Sequence, residues 1–331
     1  MTWLAVIALV IAAVAVLYAP IRDARRTRRI LSLHQQGDYP AALASRPPRG
    51  PGRHVANLIR SHSAVLTGRY HEALELIEAI EETPEVRLVR EGASTPDIFL
   101  PLALLGVGRY AEAADHVGDD PRDPTERHIR AQAAIETGDD ELAERLLSHP
   151  DDNELSDAGR LRILGDFRIR RGRIAEGRAL VGDATDRYER LATPGVTVDR
   201  AYCLIHLAEA ALAAGDVDAT GLIEEAFALM ADAPHLADSH SHLHSLAAEV
   251  AAASQDQAAA EHHLDEALRL ARLCSSPPLI ARALAAAAEV AAREGRSGDA
   301  RAHCREALAI LDRIEAAPAA ARLREAFPAM G

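Results

Sequence analysis

Along most of the chain, apolar residues recur three and four apart, as in LIEEAFALM (Leu222–Met230) and AHCREALAIL (Ala302–Leu311). That is the period of an amphipathic helix, not the alternation of a strand. The apolar stretches come in pairs joined by a short turn, and the turns resemble one another. They open on Gly37-Asp-Tyr, Gly68-Arg-Tyr, Gly108-Arg-Tyr, Gly138-Asp-Asp, Gly172-Arg-Ile, Gly215-Asp-Val and Gly295-Arg-Ser, with Ser254 of SQDQAA filling the gap between the last two. Breakers stand between pairs: SRPPRGPG at Ser45–Gly52, HPDDN at His149–Asn153, TPG at Thr193–Gly195, ADAP at Ala231–Pro234 and SSPP at Ser275–Pro278. Pro318 ends the last long helix, leaving Ala319–Phe327 for a short cap.

Small residues hold fixed places about each turn. Five positions after the opener stand Ala42, Ala73, Ala113, Ala143, Gly177, Thr220, Ala259 and Ala300. Seven positions before it, from the second pair onward, stand Ser61, Pro101, Ala131, Gly165, Ala208, Ala247 and Ala288. A glycine at the end of a first helix takes the left-handed cap without a Cβ clash. Small residues on facing helices then let the two backbones approach. The pattern predicts an all-α array of about seven or eight helical hairpins over residues 30–316, followed by a cap or tail over 317–331.

The turn, as in GRYHEAL (Gly68–Leu74) and GRYAEAA (Gly108–Ala114), and the small residues beside it resemble the tetratricopeptide repeat (TPR). The resemblance is clearest in the second and third pairs and again over Ala285–Leu311. It implies hairpins stacked into a right-handed superhelix whose first helices line a concave face that binds a protein or peptide. The family's inward positions, carried onto this register, are His62, His128, Gln132, Arg162, Asp166, Tyr202, Glu209, His244, Arg282 and Glu289. The family's carboxylate clamp uses lysines and asparagines at such positions. This chain has no lysine and only Asn57 and Asn153, so that clamp is absent.

Ahead of the hairpins, residues 2–19 (TWLAVIALVIAAVAVLYA) carry no charge. As a helix they would span about 27 Å, near the thickness of a hydrocarbon core. Trp3 and Tyr18 stand at the two ends, where amphipathic rings favour the headgroup level, and Arg22, Arg25, Arg26, Arg28 and Arg29 follow. Cations after the apolar run and none before it predict an uncleaved anchor (residues 1–19) and a basic flank (20–29), with the N-terminus outside and the rest cytoplasmic. The resemblance and this layout together suggest a membrane-anchored TPR protein of bacterial type.

Composition narrows the function class. Of 331 residues, 48% are hydrophobic but only 3% aromatic, which favours helices over strands. The net charge of −13 argues against a nucleic-acid partner, because phosphate binding needs a basic footprint. The three cysteines form no CxxC pair, which suits a reducing compartment. No P-loop, GxGxxG, GxSxG or HExxH is present, so the expectation is a protein with no catalytic residues and no cofactor. In PHLADSHSHLH, His240 and His244 are four apart and share a helical face, with Asp238 near. The plainer reading has Asp238 or Ser239 capping a helix and the histidines facing water, and His262-His263 take no role.

The function expected is therefore a membrane-tethered cytoplasmic scaffold or adaptor that binds a protein at the inner leaflet. Two alternatives stand beside it: a metal-binding regulatory protein using His235–His244, and an exported or periplasmic repeat protein.

Overall fold

The structure, a computed structural model, describes residues 23–50, 52–83, 86, 98–121, 123–191, 196–216 and 218–328. Their regular structure is helical, with no strand among them. The helices are α1 (residues 23–35), α2 (Tyr39–Ala44), α3 (Gly52–Val65), α4 (Tyr70–Glu78), α5 (Phe99–Gly106), α6 (Tyr110–Val117), α7 (Pro124–Thr137) and α8 (Asp140–Leu147). They continue as α9 (Glu154–Arg170), α10 (Ile174–Leu191), α11 (Val196–Ala214), α12 (Ala219–Met230), α13 (Ala237–Ala253) and α14 (Gln257–Cys274). The last three are α15 (Pro277–Arg293), α16 (Ser297–Arg313) and α17 (Ala317–Ala326).

Among these residues no helix is long and apolar enough to cross a membrane. The apolar stretch 2–19, with Trp3, Tyr18 and Arg22, lies outside the described residues. Arg25, Arg26, Arg28 and Arg29 fall on α1, the same helix whose Ile30 packs against Ala42, Ala56 and Ile59.

The turn signal works as expected. All seven opener glycines have positive φ, from 67° to 90°. At Gly68 the left-handed residue lets Arg69 N–H reach back to the Ala64 carbonyl at 2.8 Å, closing the first helix before α4 starts. The small positions are where helices meet. Ala42, Ala73, Ala113, Ala143 and Ala300 are fully buried. One close approach joins α9 to α10: a Cβ on Gly177 would stand 2.5 Å from Ile169 Cγ1 and 2.7 Å from the Gly165 carbonyl.

Two register assignments need correction. The turn after α13 is left-handed at Gln255 (φ 63°), not at Ser254. The small positions around it accordingly move by one residue, to Ala248 and Ala260, both fully buried. Similarly, Thr220 is exposed and the buried small residue opening α12 is Ala219. Neither Ser254 nor Thr220 breaks the helical period strongly enough for sequence alone to place the turn to the residue.

The chain divides into two compact units, residues 1–100 and 101–331. In the first, α3 packs against α2 and α4. Chain entry into α2 is fixed by Asp38, whose carboxylate accepts from Ala41 N–H, and α2 stops at Ala44 just before Pro47 and Pro48.

In the second unit, α9 pairs with α10, α11 with α12, α13 with α14 and α15 with α16. The first helices also pack on one another in succession, α7 on α9, α9 on α11, α11 on α13 and α13 on α15. They form the inner wall, and the second helices lie outside them. The array then closes on itself: α17 packs on α7, and Tyr110 and Ala133 share one core with Ala281, Leu284, Leu311 and Leu323. The Ser276 hydroxyl donates to the Gly106 carbonyl at 2.6 Å across 170 residues of chain. At this seam Gly108 has φ 80°, and a Cβ there would lie 3.0 Å from Ile314 Cβ. The helix after Pro318 begins earlier than the sequence suggested, at Ala317, and it seals this seam as well as ending the array.

Candidate functional site

Six residues before the left-handed turns at Gly138, Gly172, Gly215, Gln255 and Gly295, the inner helices carry Gln132 (α7), Asp166 (α9), Glu209 (α11), Glu249 (α13) and Glu289 (α15). Because these helices pack in order, one register position becomes a polar row, acidic in its last four members, along the inner wall. The corrected turn at Gln255 is what brings Glu249 into it.

The α9–α11 half of the row is tightly paired. Asp166 Oδ1 accepts from Arg170 Nε at 3.0 Å, and Arg170 Nη1 donates to Glu136 Oε1 at 2.6 Å. His206 Nδ1 stands 3.3 Å from Asp166 Oδ1 and 3.1 Å from Glu209 Oε2. On the other oxygen, Glu209 Oε1 accepts from Arg282 Nη1 at 2.7 Å. The same Nη1 lies 2.6 Å from His242 Nε2, and that nitrogen is 3.0 Å from Glu209 Oε1. Burial, then the Arg282 charge, lowers the His242 pKa to about 4, so the ring is neutral. In the Nε2–H tautomer it donates to Glu209 Oε1, the acceptor it shares with Arg282 Nη1. Burial raises the pKa of Glu209, but hydrogen bonds from His206 and His242 together with Arg282 outweigh it and hold the carboxyl well below its usual range. Asp166 is likewise lowered, with Arg170 and His206 overcoming burial.

The α13–α15 half differs. A cavity of about 410 Å³ opens here, lined by Glu209, Leu212, Leu246, Glu249, Arg282 and Glu289 among others. Glu249 and Glu289 form no hydrogen bond or ion pair with any described residue. Burial, then the nearby Glu209 charge, raises the Glu249 pKa to about 7, and burial raises that of Glu289. Arg293 pulls both the other way without cancelling the shift.

Among the described residues, Asp166, His206 and Glu209 bring three donor atoms within 4.8 Å of one another. Separations of 3.1 and 3.3 Å suit a coordination shell with ligands about 2.1 Å from the ion. Both carboxylates already hold guanidinium partners, however, and a divalent ion would be seated beside Arg170 and Arg282. The arrangement is a compensated salt-bridge network that stiffens the wall. Nucleophilic chemistry finds no candidate among the thiols. Cys203, Cys274 and Cys304 are buried, and burial raises the first two to about 11 and about 12 and the third upward as well.

Of the residues placed by resemblance, Asp166, Glu209, Arg282 and Glu289 converge on this wall. Tyr202 lies nearby, its hydroxyl 2.7 Å from Ser239 Oγ, with Arg162 over its ring at 5.4 Å. Arg162 also faces Asp199 at 3.9 Å. His128 stands 3.0 Å from Asp151, and Gln132 is half-buried. His62 belongs to the first unit, where it stacks on Phe99 at 3.7 Å between ring centroids.

The histidine run is arranged differently from either sequence reading. Leu236, not Asp238 or Ser239, occupies the cap of α13, and His240 Nε2 donates to the Ala233 carbonyl at 3.2 Å. His244 pairs instead with His263 across α14, Nδ1 to Nδ1 at 2.9 Å, with Phe227 against both rings. Sequence reasoning overlooked His206, His242, Glu249 and Arg170. A usable signal existed for some of them: His206 is one helical turn before Glu209, Arg170 one turn after Asp166, and Glu249 stands midway between Glu209 and Glu289.

No protein-family model matches the chain, and no curated protein matches it.

Proposed function

We propose that this chain is a non-catalytic helical-repeat adaptor of TPR-like, right-handed superhelical build. Residues 2–19 anchor it in the membrane, and the inner wall of its second unit receives the partner. The observation that carries the reading is the row Asp166, Glu209, Glu249 and Glu289, set on successive inner helices and open to a cavity at one end. An array of this kind builds an extended recognition surface from one repeated position without needing a chemical centre. Anchoring adds the effect of local concentration, since a tethered site meets membrane-bound partners at far higher effective concentration. The acidic balance of the chain and the acidic row both point to a partner other than nucleic acid.

Site-directed photo-cross-linking in the native membrane tests the reading. A cross-linker at Glu289 should capture a discrete partner, whereas one at the exposed Glu261 on α14 should not. Equal labelling from both positions would remove the inner wall as the binding surface. The tether is checked separately: a phosphatase fused after Gly331 should be inactive and a fluorescent protein there bright if the body is cytoplasmic.

A further inference from the structure

We propose that the cavity between α11, α13 and α15 is a binding site for an alkylammonium group, held by the carboxylates of Glu249 and Glu289. This inference rests on the inner wall being a binding surface and names the chemistry that the wall selects.

The argument begins with the unequal pairing of one row. Asp166 and Glu209 have their cations supplied from within the chain, by Arg170 and Arg282. Glu249 and Glu289 have the same register on the next two inner helices and no described residue at hydrogen-bond distance. Buried or half-buried carboxylates in proteins ordinarily find a donor, because leaving one unpaired costs free energy. Here both flank an opening of about 410 Å³, within the range of small-ligand sites.

The charged groups that face the cavity are Glu209 on α11, Glu249 on α13, and Arg282, Glu289 and Arg293 on α15. Arg282 is held by Glu209, and Arg293 is largely exposed to solvent. Three carboxylates and two guanidiniums therefore line the space, and neither guanidinium closes an ion pair with Glu249 or Glu289. Burial, then the Glu209 charge, shifts Glu249 upward, so an incoming ammonium takes the place of the proton that this carboxyl retains. Leu212, Ala213 and Leu246 supply an apolar side along which methylenes can lie. An ammonium on a flexible alkyl stem matches that combination. A metal ion matches it less well, because no three donors that include Glu249 or Glu289 come together among the described residues.

Such a group can arrive on a free diamine or on a lysine side chain of a partner. Titration calorimetry on the full-length chain in detergent micelles, with cadaverine and with Nα-acetyl-lysine N-methylamide as probes, separates the two sources. Binding of cadaverine alone assigns a free amine, and binding of the lysine amide assigns a partner side chain; either supports the site. Glutarate and pentanol, which lack the ammonium, should not bind. Glu249→Gln and Glu289→Gln should each weaken binding about tenfold or more, and Glu261→Gln should leave it unchanged. Because the ammonium competes with a proton on Glu249, affinity should rise about tenfold between about pH 6 and pH 8, and Glu249→Gln should flatten that profile. Failure of both probes to bind, or unchanged binding in both glutamine variants with native thermal unfolding, would overturn the proposal. Amine binding without any partner cross-linked at Glu289 would leave this site standing and remove only the adaptor reading.

Discussion

Asp166 and Glu209 occupy the same place in their hairpins as Glu249 and Glu289, yet the two pairs live in different electrostatic surroundings. The first pair is surrounded by Arg170, His206, His242 and Arg282 and is held ionised. The second borders a cavity, closes no ion pair with a described residue, and is pushed toward the neutral form. One repeated position thus serves rigidity at one end of the wall and availability at the other. What separates the two is whether the guanidinium on the neighbouring turn closes an ion pair, as Arg170 does with Asp166 and the exposed Arg293, at the same spacing from Glu289, does not; desolvation acts on both.

The sharpest test of this contrast removes one carboxylate from each half. Glu209→Ala strands Arg282 and the His206–His242 pair without their shared acceptor. Breaking a buried ion pair from one side typically costs about 3–5 kcal/mol, and with Glu209 partly accessible the lower end is expected. Glu249→Gln should be near neutral or slightly stabilising, because no partner is lost. Denaturant unfolding of both variants checks this, and equal destabilisation would erase the distinction.

Closure of the second unit should come next in size. Gly108→Ala places a Cβ against Ile314 at a positive φ, combining a left-handed penalty of about 1 kcal/mol with overpacking of about 1–3 kcal/mol. Gly215 has a similar φ of 67° but nothing within 4 Å of a new Cβ, so Gly215→Ala should cost only the conformational part. Hydrogen exchange should show the first variant loosening α6, α7 and α15–α17 together. A local effect confined to α6 would mean the seam contributes little.

The pH dependence of stability should carry opposite signs in the two halves. The folded-state pKa of Glu249 is raised to about 7, so the folded chain keeps a proton that the unfolded chain releases at about 4.3. Stability from this group is greatest below the unfolded value and falls as pH rises toward 7, by on the order of 1–3 kcal/mol. His242 is lowered to about 4, so the unfolded chain takes up a proton first as pH falls below about 6.5, and stability is lost on acidification. Glu249→Gln should remove the first slope and His242→Gln the second, read from unfolding midpoints across pH. The smallest effect concerns Arg293, whose charge opposes the upward shift at Glu249. Arg293→Ala should move the Glu249 titration further upward, as followed by carboxyl NMR, with little change in stability because the side chain is exposed.

The local grammar of the fold was legible because it is short-range. A glycine at positive φ and a small residue one turn into the next helix are requirements of a single hairpin, so Gly68 with Ala73 and Gly108 with Ala113 declared themselves in sequence. Where that grammar weakened, reading slipped: Gln255 adopts the left-handed turn without being glycine, and the error of one residue hid Glu249 from the row it belongs to. Asp166, Glu209, Arg282 and Glu289 were reachable through the repeat, since a position recurring on successive hairpins must face one side. Which of those carboxylates would be paired was beyond sequence, because Arg282 reaches Glu209 across 73 residues and His242 reaches it across 33. The seam that closes the second unit was equally hidden, for Gly108 meets Ile314 only once the curvature of every intervening hairpin has accumulated. Helix, turn and facing side are set by interactions a few residues apart and so were written in the chain. Charge compensation and closure depend on distances summed over the whole array, and only the tertiary structure decided them.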